Sequence, residues 1–244
     1  NKFFGMPDAM NKEISLSGVR TFMKGITKLE PRNYQIYGVY EALKYNRKLL
    51  LSPTASGKSL MVYGIARWHV ANKRKVLLIV PTTSLVEQMY KDFEDYGWNA
   101  EKHCHKIYSG QDKYKDSNVV ITTWQSIYKE PRKWFERFDC VIGDEAHLFK
   151  SKSLTKIMTK CHNVKYRIGF TGTLDGTQTH QWILEGLFGP CEQLVKTKDL
   201  MEGGHLTPLK VKCLVLKHEW GTFDSYHDEI DYLITHPKRN NLIK

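Results

Sequence analysis

From Pro31 onward the chain alternates between two hydrophobic rhythms. Residues 33–45, 59–71, 84–96 and 178–187 carry apolar side chains three and four positions apart, the spacing of a helix with one buried face. Between them lie short apolar runs at 49–51, 76–80, 119–122, 140–143 and 167–171. Such runs, separated by helices and without hairpin turns, predict an α/β fold with a mostly parallel sheet covered by helices on both faces. Ligands of such sheets bind at the carboxyl ends of the strands. Residues 1–29 are poorly patterned apart from a helix expected around 17–24.

Composition narrows the class. Hydrophobic residues make up 41% and charged residues 26% of the 244, which suits a folded globular chain. The longest apolar run, 76–80, is far short of the roughly 20 residues that span a bilayer, so no membrane partner is expected. No secretory leader is visible, and an intracellular address follows as the expectation. Cys104, Cys140, Cys161, Cys191 and Cys213 are odd in number and never in C-x-x-C spacing, so they read as free thiols. Thirty-seven Lys and Arg against 26 Asp and Glu leave a formal charge of +11, which favours a polyanion such as nucleic acid.

The loops after the strands carry the chemistry. Ser52-Pro53-Thr54-Ala55-Ser56-Gly57-Lys58-Ser59 fits G-x-x-x-x-G-K-[ST] with Ser52 in place of the first glycine. Gly57 admits a close backbone, while consecutive N–H groups and a helix N-terminus face a phosphate. Lys58 offers a charge to β- and γ-phosphates, and the Ser59 hydroxyl can take Mg²⁺. About 85 positions downstream, Asp144-Glu145-Ala146-His147 follows another strand. A carboxylate at a buried strand end is costly unless it meets a cation, which Mg²⁺ would supply to Asp144. Glu145 is then placed to orient or deprotonate a water.

With these motifs in order, the chain resembles the superfamily-two helicases over residues 31–208. The resemblance implies a RecA-like lobe that uses ATP and Mg²⁺. Arg32-Asn33-Tyr34-Gln35 is similar to the family's glutamine motif, in which Gln35 would read adenine. The phosphate loop through Leu60 is similar to motif I, with Arg32, Gln35, Thr54, Ala55, Ser56, Gly57, Lys58, Ser59 and Leu60 at the nucleotide. Asp144–His147 is similar to the DEAH-type motif II, which gives Lys58, Asp144 and Glu145 catalytic roles and Ser59 and Asp144 the metal. Motif Ia is matched by Pro81, Thr82, Thr83 and Gln88, and motif Ib by Thr122, Thr123, Trp124 and Gln125. Both would hold nucleic-acid backbone, contacts that discriminate DNA from RNA poorly; the partner expected from the resemblance as a whole is DNA in preference to RNA. Thr171-Gly172-Thr173 is similar to motif III, which couples the ATP site to the nucleic-acid track. Ala55 stands where many members have Gly. Residues 198–204, followed by Leu206-Thr207, are similar to the phage recombination branch.

The resemblance also implies a second lobe bearing motifs IV to VI, which the residues after Thr173 are too few to form. The expected organisation is an appendage or remnant at 1–30, the motor lobe at 31–236 and the start of a linker at 237–244. The function implied is an ATP-dependent DNA helicase or translocase lobe for recombination or repair. An RNA helicase, a duplex translocase or a nucleotide-gated binding module remain as alternatives. His103-Cys104-His105 invites a metal reading, but three consecutive ligands rarely wrap one tetrahedral ion. Trp134 and Phe135 are expected in the core. Trp124 has two readings, a base-stacking ring or a core ring.

Overall fold

The computed structural model describes residues 11, 13–108, 110–207, 212 and 222–243, so Pro208 and Cys213 lie outside the described residues. The chain divides into two compact units, Asn1–Leu206 and Thr207–Lys244.

The first unit runs α1 (Leu16–Ile26), α2 (Asn33–Lys44), β1 (Arg47–Leu51), α3 (Lys58–Ala71), β2 (Val76–Val80), α4 (Thr83–Asp95), α5 (Ala100–His103), β3 (Cys104–Ile107), β4 (Val119–Thr123), α6 (Trp124–Ile127) and α7 (Arg132–Phe135). It continues through β5 (Cys140–Gly143), a 3₁₀ turn (Ala146–Lys150), α8 (Lys152–Lys160), β6 (Tyr166–Thr171), α9 (Gln178–Phe188), β7 (Cys191–Gln193) and α10 (Thr197–Glu202). The strands form one parallel sheet in the order β3-β4-β2-β5-β6-β1-β7. The second unit contains α11 (Tyr226–Thr235), capped by the Ser225 hydroxyl accepting from the Asp228 N–H, and α12 (Pro237–Ile243).

The period-two pattern of the strands fills two core layers. In β2, Val76, Leu78 and Val80 face the layer built by α1 to α4, while Leu77 and Ile79 face the layer containing Trp134, Phe135, Phe149 and Phe188. Each fully buried Leu, Ile or Phe contributes about 1.5–3 kcal/mol relative to exposure. Helix α3 is buried on most of its circumference, which explains why its apolar positions are nearly continuous. Helix α1 adds Val19 and Met23 to the same core, and Met23 packs where a side chain on Gly64 would otherwise stand. On the other face, Gly143 and Gly169 are register neighbours of β5 and β6, and a β-carbon on either would meet the ring of Phe188.

The five expected strands are present. The edge strands β3 and β7 were not expected, because Cys104-His105-Lys106-Ile107 and Cys191-Glu192-Gln193 have no continuous apolar run. The metal-like tripeptide is split between elements. His103 ends α5, stacks on Trp98 at 5.0 Å and meets Asn118 Oδ1 at 3.0 Å, whereas His105 lies on β3 with Nε2 2.6 Å from the carbonyl of Asp112. Trp134 and Phe135 are buried. Among the described residues, no helix is long and apolar enough to cross a membrane.

Candidate nucleotide site and nucleic-acid interface

Strand order assembles the site. β6 lies between β1 and β5, so the loop after β1, the turn after β5 and the end of β6 meet at one edge of the sheet. Leu51 is in register with Thr171, and the Ser52 N–H donates to the Thr171 carbonyl at 2.8 Å. The three segments carrying Lys58, Asp144-Glu145 and Thr171 therefore converge although more than a hundred positions separate the first from the last.

The phosphate loop is braced from within. The buried Ser52 hydroxyl donates to Ser56 Oγ at 2.7 Å, bridging the loop where a glycine would leave no side chain. Gly57 is left-handed at φ +76°, and a β-carbon there would collide with the Gln35 amide. Ala55 is also left-handed at φ +62°, a conformation that costs a side-chain-bearing residue about 1–2 kcal/mol. Gln35 is committed on both sides. Its Oε1 accepts from the Arg32 N–H at 2.9 Å, and its Nε2 donates to the Ser56 carbonyl at 3.0 Å, which also accepts from the Tyr34 hydroxyl at 2.8 Å. Thr54 and Ala55 are exposed, Ser56 and Leu60 buried.

Lys58 opens α3 and its Nζ lies 3.3 Å from Glu145 Oε1. Glu145 is left-handed at φ +50°, a turn that directs the chain from β5 into the 3₁₀ turn at Ala146–Lys150. Asp144 is 7% exposed, and its Oδ1 has no hydrogen-bond partner among the described residues. Burial foremost, then the Glu145 charge, pushes the Asp144 carboxyl up to about 6, with Lys58 opposing. The Ser59 hydroxyl lies 2.6 Å from the Tyr96 hydroxyl, and burial raises the nearby Asp92 carboxyl against a hydrogen bond from Ser59. No group of three His, Cys, Asp or Glu residues is gathered for a metal among the described residues. Mg²⁺ does not require one, since one or two carboxylates, phosphate oxygens and waters complete its octahedron. A buried unpartnered carboxylate oxygen, a serine hydroxyl and a lysine at a helix N-terminus suit Mg-nucleotide.

Thr171 Oγ1 donates to the Thr173 carbonyl at 2.8 Å and meets His147 Nδ1 at 3.0 Å, and the same ring nitrogen lies 3.3 Å from Glu145 Oε2. A β-carbon on Gly172 would stand 3.6 Å from Lys58 Nζ, so this residue lies against the phosphate loop.

A second cleft, of about 600 Å³, lies beyond the ends of β2 and β4. Pro81, Thr82 and Thr83 face Thr123, Gln125 and Ser126 across it. Thr82 caps α4 by accepting from the Leu85 N–H at 3.3 Å, and Thr123 Oγ1 lies 3.0 Å from Ser126 Oγ. Gln88 and Gln125 are exposed. Thr122 sits elsewhere. It is fully buried and its hydroxyl donates to the Ile107 carbonyl at 2.8 Å, tying β4 to β3. Trp124 is half-buried, packed on the second core layer and edge-on to Tyr128 at 6.1 Å.

Sequence reasoning missed one wall of this cleft, the β3–β4 connection with Tyr108, Gly110, Gln111 and Lys113. The Lys113 carbonyl accepts from Trp134 Nε1 and an Arg137 guanidinium N–H, both at 2.9 Å. Also missed were Tyr96 beside Ser59 and the buried His180 beside His147. Only the Tyr-Ser-Gly composition of the connection offered a signal, as a turn.

Residues 28–176 match the family described as Type III restriction enzyme, res subunit. The ATP-dependent DNA helicase uvsW of enterobacteria phage T4 is 37% identical over 229 residues, 90% of this chain and 46% of the relative. The DNA 3′-5′ translocase XPB2 of Sulfurisphaera tokodaii is 27% identical over 187 residues, 77% of this chain and 40% of the relative. The crystal structure of the UvsW helicase from bacteriophage T4 superposes with a TM-score of 0.70 at 33% identity, covering 76% of this chain and 70% of that one. The chain thus spans about half the length of the curated relatives it matches. With the phosphate loop, the acidic turn and the β6 end meeting at one sheet edge, the chain belongs to the Type III restriction enzyme res-subunit family and has the fold of the first RecA-like lobe of the superfamily-two helicases.

Proposed function

We propose that this chain is the ATP-binding lobe of a DNA helicase or translocase motor. The observation that carries the reading is the convergence of Lys58, Glu145 and the unpartnered Asp144 oxygen at one sheet edge. Lys58 and the N–H groups of residues 55–59 would hold the phosphates, and Ser59 and Asp144 the Mg²⁺. Bound there, Mg²⁺ supplies charge neutralisation for phosphoryl transfer. Glu145 would accept the proton of the attacking water, with His147 steadying its second oxygen. Arg32 and Gln35 would border the base. Within the motif Ia and Ib cleft, Pro81, Thr82, Thr83, Thr123 and Gln125, with Gln88 and Trp124 nearby, would grip nucleic-acid backbone. Thr122 would act from beneath, by fixing β4.

The motor lobe is proposed to occupy 31–236, preceded by an appendage and followed from 237 by a linker to a second lobe. The chain's share of its relatives' length supports that partner. An intracellular setting, the host cytoplasm for a phage-encoded protein, suits the free thiols of Cys104, Cys140, Cys161 and Cys191. DNA as substrate is supported by the names of the relatives. Matched single strands of DNA and RNA, titrated by fluorescence anisotropy with and without Mg-ATP, test the reading. Tighter binding of DNA, altered by nucleotide, is expected. A preference for the 2′-hydroxyl strand would move the substrate to RNA.

A further inference from the structure

Beside the acidic turn, one buried imidazole has both ring nitrogens engaged by groups of two different functional segments. His180, in the first turn of α9, is 4% exposed. Its Nε2 lies 3.1 Å from the carbonyl of His147, in the turn after the DEAH motif. Its Nδ1 accepts from the Asp175 N–H at 3.3 Å and lies 2.9 Å from Asp175 Oδ1, in the loop that follows Thr171-Gly172-Thr173. Asp175 is fixed further by Lys150 Nζ at 3.1 Å and by the Thr177 N–H at 3.0 Å. Lys150 belongs to the same 3₁₀ turn as His147, so the loop is stapled to both ends of that turn.

We infer that His180 is a positioning residue that transmits the state of the Lys58–Glu145 site to the loop 172–177. The inference rests on the ATP-lobe reading. The route is continuous at contact distance: Lys58 to Glu145 at 3.3 Å, Glu145 to the His147 ring at 3.3 Å, and the His147 carbonyl to His180 at 3.1 Å. From His180 it reaches Asp175 at 2.9 Å. A nucleotide phosphate that draws Lys58 away from Glu145 frees that carboxylate to move, and the His147 ring moves with it. Besides His180, the Lys150–Asp175 ion pair and the His147 ring through Thr171 Oγ1 to the Thr173 carbonyl join the turn to the loop, but the ion pair is exposed and the Thr171 link reaches only the start of the loop. Sequence spacing cannot show this, because His180 reads as an ordinary polar residue at a helix start.

The test uses this chain, a non-hydrolysable ATP analogue with Mg²⁺, and two variants. His180→Leu keeps bulk but removes all the polar contacts of the ring. Asp175→Ala removes the carboxylate contact from an exposed position and leaves the residue-175 N–H on the ring. Calorimetry reads analogue affinity, and hydrogen–deuterium exchange reads protection of 172–177 with and without analogue. Expected is a parent loop whose exchange changes about fivefold or more on analogue binding, since such loops open locally. In both variants that change falls below about twofold while analogue affinity stays within about threefold. A full loop response in His180→Leu overturns the role of His180, and one in Asp175→Ala overturns the carboxylate route from it. Binding of the analogue by the parent without any loop response also overturns it, and leaves the ATP-lobe reading standing. Failure of the parent to bind the analogue, seen by calorimetry alone, removes the ATP-lobe reading and this inference with it.

Discussion

The Lys58 ammonium and the Glu145 carboxylate stand 3.3 Å apart, each delivered by a loop at the carboxyl end of a different strand. The side chains are 14% and 29% exposed, so the pair is neither fully screened by water nor sealed from it. Each group is thereby held at the site by the other, and a phosphate entering the loop competes with Glu145 for Lys58.

Glu145 separates binding from turnover. Glu145→Gln keeps the shape of the acid but cannot accept a proton, and it leaves Lys58 free for phosphate. In the chain joined to a second lobe, Mg-ATP affinity should be retained or improved, while hydrolysis falls by about 100-fold or more. A steady-state rate within about twofold of the parent would remove Glu145 from the role of base.

Asp144 trades stability for binding. Its carboxyl is pushed up to about 6, chiefly by burial, so ionised Asp144 at neutral pH costs the fold free energy. Asp144→Asn should raise Tm in metal-free buffer, by about 1–3 kcal/mol of stability, and should abolish the Mg²⁺-dependent part of nucleotide binding. Differential scanning fluorimetry and calorimetry on the same samples check both halves. An unchanged Mg²⁺ dependence contradicts the metal assignment.

How much of this was legible in the sequence depended on how local each signal was. The central strands announced themselves as continuous apolar runs buried on both faces, and β3 and β7 did not because they are short and broken by polar residues. Lys58, Asp144 and Glu145 could be placed together because strand-end loops of a parallel sheet share one rim. Tyr96 beside Ser59 and His180 beside His147 arise from helix packing, which no spacing encodes. The hydroxyl motif at Thr122-Thr123 misled in part, since strand alternation turns Thr122 inward to Ile107 and leaves only Thr123 at the cleft.

His69 makes the fold sensitive to acid. It is fully buried against Tyr166 with neither ring nitrogen hydrogen-bonded among the described residues, and burial foremost, with Arg74 adding, lowers its pKa from 6.5 to about 3. The unfolded chain therefore binds a proton that the fold refuses between pH 6.5 and about 3. Stability contributed by the neutral ring is full above pH 6.5 and is lost as pH falls, about 2 kcal/mol by pH 5. Urea unfolding of the parent and of His69→Leu at pH 7.5 and pH 5 isolates this contribution, and the variant should lose about 2 kcal/mol less. Equal losses in the two proteins contradict the assignment.

Trp124 distinguishes an interface ring from a core ring. Half-buried beside the cleft, it should stack on a base through its open face. Trp124→Ala should then weaken single-strand DNA binding by about 1–3 kcal/mol without altering the steepness of the salt dependence. A fall in thermal stability of about 3–5 kcal/mol with unchanged affinity would assign the ring to the core instead. For the parent, affinity should drop steeply between about 50 and 200 mM salt, as phosphate contacts release counterions.

The most direct test of the ATP-lobe reading is isothermal calorimetry of Mg-ATP with the parent chain and with Lys58→Ala. Lys58 is the one point charge the phosphate loop offers, so its loss should weaken binding by at least about tenfold, equivalent to about 1.4 kcal/mol. Unfolding midpoints of the two proteins should agree, because the Lys58–Glu145 pair contributes little to stability. Binding by the parent that disappears in Lys58→Ala is the predicted result. Equal affinity in the two, or no heat of binding from the parent, contradicts the nucleotide site at the carboxyl end of β1.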